Sequence, residues 1–184
     1  MNAPLETAIR TERLLLRPLV ESDAPAIQDL VSDERVSRYT ALIPHPYPED
    51  GAASFLAIAL EKEGRDEARH FVLAFPDCPD TLIGLVGLNY NGDGTVSVGY
   101  WLGVPYWGRG LMSEAMASVT RFAIFWCPDA TLVSQTHSDN IASQRVLEKA
   151  GFRRSGTGTF DAPARDYGKV ENAPRFVFDP AEAA

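Results

Sequence analysis

Two short segments of this 184-residue chain carry residue types whose spacing suits chemistry on a phosphate-bearing ligand. The first is "GVPYWGRG" (Gly103–Gly110), where Gly108 and Gly110 bracket Arg109 just before an apolar-periodic run. A helix N-terminus exposes unpaired N–H groups and a partial positive charge, and glycines let a ligand approach the backbone. A nucleotide-triphosphate loop would end in Gly-Lys-Ser/Thr, yet Arg109 stands for the lysine and Gly110 for the hydroxyl that would hold magnesium. A dinucleotide fingerprint needs a third glycine, and Ser113 occupies that place. A plain tight strand-to-helix turn accounts for the two glycines equally well.

The second segment is "DNIASQRVLEKAGF" (Asp139–Phe152). Asn140 precedes an apolar-periodic run and so reads as a helix N-cap, with Ser143 one turn further along. Gly151 and Phe152 read as a helix stop, with glycine left-handed and the ring folded back onto Val146 or Leu147.

The elements that must position these segments follow from periodicity and punctuation. A short strand is expected at Arg13–Val20. A helix capped by Ser22 or Asp23 follows, with its stripe on Ile27, Leu30 and Val31, and a second helix spans Pro48–Glu63. His70–Pro76, Thr81–Tyr90 and Thr95–Gly103 then read as an antiparallel meander, turned at Asn91–Gly94. A helix from Arg109 to Trp126 buries Leu111, Ala115, Val119, Phe122 and Trp126. Ala130–His137 is a strand, Asn140–Ala150 a helix, and two further strands are expected near Phe152–Gly158 and Arg175–Phe178. Phe71, Phe75, Phe122, Phe125 and Trp126 are expected in the core. This order predicts a mixed α/β (α+β) sheet rather than a doubly wound one. One domain spans 1–184, with a core at about 11–178.

Composition narrows the class. Hydrophobic residues make up 45% and charged ones 23%, as in a globular protein. A net charge of −8 argues against a general nucleic-acid binder. Cys78 and Cys127 form no paired or metal-ligand motif, so no metal is expected. The start "MNAPLETAIRTERL" lacks a basic end followed by an apolar stretch, and no run is apolar enough to span a membrane. The expectation is a cytoplasmic protein.

Taken together, "TERLLLRPL", "VGYWLGVPYWGRGLMSEA" and "HSDNIASQRVLEKAGFRRSG" resemble the GNAT acetyltransferase superfamily, from Thr11 to about Arg154. They are similar to its branch that acetylates ribosomal-protein N-terminal amines (RimJ/RimL-like). The resemblance implies a central, mostly antiparallel sheet of about seven strands flanked by about four helices. It implies acetyl-coenzyme A as co-substrate and a primary amine as acceptor, acetylated directly in a ternary complex. It further implies that the backbone of Tyr100, Trp101, Leu102, Gly103 and Val104 pairs with the pantetheine arm, and that one N–H there polarises the thioester carbonyl. Trp107, Gly108, Arg109, Gly110, Leu111 and Met112 would hold the pyrophosphate. Asn140 would bind the pantetheine amide, and Ser143 would protonate the leaving thiolate.

The chain departs from the relatives at the general base. Where they often carry a glutamate before "GYW", it has Ser97. His137 with Asp139, His70 and Tyr100 are the other polar groups considered for that role, each with a packing or capping reading beside it. "YTALIPHPYP" (Tyr39–Pro48) is a loop that either shapes an acceptor pocket or simply connects two helices. The acceptor stays open at this level. It is either a protein N-terminal α-amine or a small-molecule amine (antibiotic, amino acid or polyamine). A non-catalytic acyl-coenzyme A-binding module, and a monomer or a homodimer, stay open too.

Overall fold

Strand alternation builds the centre of the molecule. In the computed structural model, which describes residues 8–180, Phe71 and Val72 point to opposite faces of β3 (Ala68–Ala74) and each meets its own helix layer. The stretch 1–7 that was read against a leader, and the far end 181–184 of the expected domain, lie outside the described residues. β3 belongs to one eight-stranded sheet with β1 (Ile9–Arg10), β2 (Leu15–Pro18), β4 (Gly84–Tyr90), β5 (Thr95–Leu102), β6 (Thr131–Gln135), β7 (Arg153–Asp161) and β8 (Lys169–Phe178). The order is β1-β2-β3-β4-β5-β6-β8-β7, antiparallel at every junction except β5–β6.

The helices are α1 (Ala24–Val31), α2 (Glu34–Ser37), α3 (Gly51–Gly64), α4 (Leu111–Trp126) and α5 (Ile141–Lys149). α1 and α3 cover the Val72 and Leu85 face of the sheet. α4 covers the opposite face, where Leu111, Ala115, Val119 and Trp126 pack on Phe71, Val86 and Leu88.

Eight strands and five helices replace the expected seven and four. β1 is a two-residue edge strand that only its pairing with Leu15 and Leu16 defines. α2 is a single turn held by the Asp33 side chain, which accepts the Arg35 N–H at 2.9 Å, and one turn has no readable period. α4 begins at Leu111, not Arg109, because Gly110 is its left-handed N-cap. Phe125, expected in the core, is 64% exposed, since the helix turns it to solvent. Phe122 is partly buried, edge-on to Phe71 with ring centroids 4.9 Å apart.

Candidate functional site

The one parallel junction of the sheet is incomplete. β5 and β6 pair only from Thr95–Thr131 to Ser97–Val133, and the five residues of β5 beyond Ser97 have no β6 partner. Asn91 donates to the Thr95 carbonyl and Gly103 to the Ile83 carbonyl, so the odd-numbered residues of β5 turn their backbone groups toward β4. By the two-residue period, Val98, Tyr100 and Leu102 turn theirs toward the side β6 has left. The Val98 carbonyl accepts the Ser134 hydroxyl at 2.9 Å, and the Leu102 carbonyl accepts the Trp107 indole N–H at 2.6 Å. The Tyr100 N–H and carbonyl face the gap.

Parallel pairing also brings two helix starts to one end of the sheet, because α4 follows β5 and α5 follows β6. Gly108 and Gly110 have φ of +72° and +74°, a region that L side chains adopt only with strain. α4 starts on Gly110 without a side-chain cap. The N–H groups of Gly108, Arg109 and Gly110 have no acceptor among the described residues, and those of Leu111 and Met112 fall in the first helical turn, where no intrahelical partner exists. Trp107 does not belong to this set: its N–H is spent on the Val104 carbonyl at 3.1 Å, inside the 3-10 turn Val104–Tyr106. The Arg109 guanidinium lies 5.4 Å over the Phe75 ring.

A second arginine at this loop carries no local signal in the sequence. The Arg13 guanidinium donates to the Arg109 carbonyl at 2.9 Å and lies 3.6 Å from where a Gly110 Cβ would be. It is steered there by Glu114, in the first turn of α4, which accepts from the Arg13 backbone N–H and Nε at 2.7 Å each and from the Thr11 hydroxyl. A separation of 101 residues hid this contact from any local pattern. Burial pushes the Glu114 carboxyl up, but the hydrogen bonds from Thr11 and Arg13 and the Arg13 charge bring it below its ordinary value of 4.5. A depressed carboxyl stabilises the fold above its unfolded pKa, and that stability is lost as pH falls through the folded pKa. Wild type is therefore expected to lose more thermal stability than Glu114→Gln between pH 5 and the acid side of 4.5, read as the change in Tm across that interval.

At the second helix start, the Asn140 side-chain oxygen accepts the Ser143 N–H at 3.2 Å, and its Nδ2 group has no hydrogen-bond partner among the described residues. The Tyr100 hydroxyl lies 3.0 Å from the Ser143 carbonyl and 2.8 Å from Ser143 Oγ. Burial pushes the Tyr100 phenol far up, and the Ser143 hydrogen bond offsets only part of this. At neutral pH it stays protonated, a donor rather than a base.

The base candidates separate clearly. Ser97 Oγ is engaged with the Asn91 side chain at 2.9 and 3.1 Å. The Asp139 N–H donates to His137 Nδ1 at 3.2 Å, so the neutral ring carries its hydrogen on Nε2 and has no free lone pair. His70 is placed the other way round, with Nδ1 2.8 Å from Glu63 Oε1. The Tyr39–Pro48 loop is anchored across the sheet. Arg165 Nε donates to the Thr40 carbonyl at 3.0 Å, the Ala164 N–H to Ala41 at 3.2 Å, and Tyr39 packs 5.3 Å from His137.

Residues 13–153 match the family model described as the Acetyltransferase (GNAT) domain. The chain belongs to the GNAT acetyltransferases. This GNAT chain is 31% identical over 150 residues to an uncharacterized N-acetyltransferase, YnaD, of Bacillus subtilis, covering 80% of the chain and 84% of that relative. Its fold is similar to the crystal structure of a GNAT-family acetyltransferase from Bacillus anthracis, with a TM-score of 0.78, 22% identity and coverage of 95% and 99%. It is similar in the same way to RimL, a ribosomal L7/L12 alpha-N-protein acetyltransferase solved with coenzyme A, with a TM-score of 0.76, 21% identity and coverage of 94% and 98%. The protein is an acetyltransferase, and coenzyme A is bound in that RimL structure.

Proposed function

We propose that this acetyltransferase moves the acetyl group of acetyl-coenzyme A directly onto a primary amine, the α-amine at a polypeptide N-terminus, within one ternary complex. The observation that carries this reading is the gap between β5 and β6, with the Tyr100 N–H facing it and a helix start on either side, that of α4 without a side-chain cap and that of α5 capped by Asn140. An extended pantetheine arm could fill the place β6 has left and take the hydrogen bonds that Tyr100 and Leu102 offer. The N–H groups of Gly108 to Met112, the α4 dipole and the Arg13 guanidinium fit a pyrophosphate. The Asn140 amide is free to meet the arm, and the Tyr100 N–H is placed to receive charge on a thioester oxygen. Ser143, bonded to a phenol that stays protonated, is the donor for the departing thiolate.

The acceptor reading draws on charge and ionisation. An α-amine has a pKa of about 7.7–8.0 and is about one-quarter neutral near pH 7.4, so it is ready to attack, whereas a lysine amine at ~10.4 is about a thousandth neutral. The net charge of −8 favours a basic acceptor, as a ribosomal protein tail would be. RimL, whose acceptor is a ribosomal protein, shares the fold.

Free-thiol release from acetyl-coenzyme A tests the reading. The acceptor panel holds basic peptides with a free N-terminus, the same peptides N-terminally blocked, and spermidine. Turnover confined to the free N-termini is expected. Turnover with spermidine alone would move the acceptor to small amines, and tight cofactor binding without any turnover would leave a binding module.

A further inference from the structure

The strongest arrangement outside the cofactor loops is a row of three residues across the sheet. The register sets His70 of β3 opposite Gly87 of β4, and Gly87 opposite Gly99 of β5. Directly opposed residues share a face, and here it is the face covered by α1 and α3, where the His70 ring meets Phe55 edge-on at 5.9 Å. Tyr100, next to Gly99, points the other way, toward Ser143. At the level of Gly99 and Tyr100, β6 has already parted from β5, whose pairing ends at Ser97–Val133.

Both glycines matter to the row because they lack side chains. The His70 ring leans over Gly87, with Cδ2 and Nε2 only 3.2 and 3.5 Å from where a Gly87 Cβ would be. Nothing lies within 4 Å of the corresponding position at Gly99, which is exposed. Neighbouring strands are about 4.8 Å apart, so His70 and Gly99 are separated by about 10 Å of backbone, and the imidazole covers the nearer half. The half above Gly99 is open, and Gly99 directly precedes Tyr100, whose N–H faces the gap.

The partners of the ring decide its chemistry. Glu63 Oε1 accepts both the His70 backbone N–H, at 2.7 Å, and Nδ1–H, at 2.8 Å. A carboxylate only accepts, so Nδ1 carries the hydrogen, and in the neutral ring Nε2 keeps its lone pair. Nε2 has no hydrogen-bond partner among the described residues. The other groups against the ring, Phe55 of α3 and Gly87 of β4, are uncharged.

We propose that His70, oriented by Glu63, is the general base of this acetyltransferase, acting on an amine held over Gly99. The proposal rests on the reading that the thioester carbonyl lies at the Tyr100 N–H. The amine nitrogen forms a bond to the carbonyl carbon, and the C=O π pair moves onto oxygen. His70 Nε2 takes the proton the nitrogen then sheds. The oxygen pair re-forms C=O, the C–S bond breaks, and the thiolate takes a proton from the Ser143 hydroxyl. Solvent restores the proton of Ser143 and removes that of the imidazolium. Base and acid thus stand on opposite faces of the sheet, with the gap between β5 and β6 connecting them.

The test uses the full-length protein, acetyl-coenzyme A, and the best acceptor from the peptide and spermidine panel. His70→Gln and His70→Ala are expected to lower kcat about 100-fold while the Kd for acetyl-coenzyme A, by calorimetry, stays within twofold. Added imidazole should restore at least tenfold of the His70→Ala rate, and Glu63→Gln should lose about tenfold in kcat. A purely structural His70 would give no rescue by imidazole, and that result overturns the proposal even if both variants are impaired. Unchanged kcat in the His70 variants overturns it as well. Wild type that fails to bind acetyl-coenzyme A would instead overturn the reading of the gap, and with it this proposal.

Discussion

Gly110→Val is expected to weaken acetyl-coenzyme A binding about 100-fold, which corresponds to about 2.7 kcal/mol. Gly110 is at φ +74° as the N-cap of α4, and a β-branched residue there is strained by about 1–3 kcal/mol. The chain can relieve that strain only by rotating the loop, which re-aims the N–H groups of Gly108 to Met112 together. Because they act on one ligand group, their loss is shared rather than additive. The new side chain would also crowd the Arg13 guanidinium, 3.6 Å from the Cβ position. Gly92→Val is the control. Gly92 has nearly the same φ, +78°, in the turn between β4 and β5, with nothing within 4 Å of its Cβ position. It should cost comparable stability by thermal denaturation and leave the calorimetric Kd unchanged. If Gly110→Val bound acetyl-coenzyme A as tightly as the control does, the phosphates would have to lie elsewhere.

Ser143→Ala should reduce kcat about 100-fold with cofactor affinity retained. The low end of the range for proton transfer applies, since a thiol of pKa ~8.5 is already a competent leaving group. Tyr100→Phe tests how the hydroxyl is served. Its OH is within 3.0 Å of both Ser143 oxygens, so its loss leaves the serine without its proton-bearing neighbour, and about a tenfold loss in kcat is expected. Tyr100 acts through Ser143, so adding Tyr100→Phe to Ser143→Ala should cost little more. Fully additive losses would mean that the phenol works independently, and an unchanged Ser143→Ala would remove the serine from the reaction. Both variants are compared by single-turnover rate, which separates chemistry from binding.

The parts of the candidate site that could be read from the chain are those with local causes. A left-handed glycine before a helix and an asparagine three residues before a serine act over one turn, so Gly108, Gly110, Asn140 and Ser143 announced themselves by spacing. The meander did so too, because alternation and the Asn91–Gly94 turn are properties of adjacent residues. Trp107 shows the limit of such reading. It stands beside the glycines, yet the 3-10 turn consumes its N–H. Phe125 shows another: its hydrophobicity suited the core, but helical phase turned it outward.

Sequence by itself determined the longer strands and helices and placed the two helix starts to within a few residues, since each depends on propensity, period and capping over a short window. Only the tertiary structure decided what meets at the gap. Arg13 reaches the loop from 96 residues away, Tyr100 finds Ser143 from 43, and His70 joins a row with Gly87 and Gly99 through two strand registers. Register and the early parting of β6 from β5 arise from packing on both faces of the sheet. No window along the chain contains them.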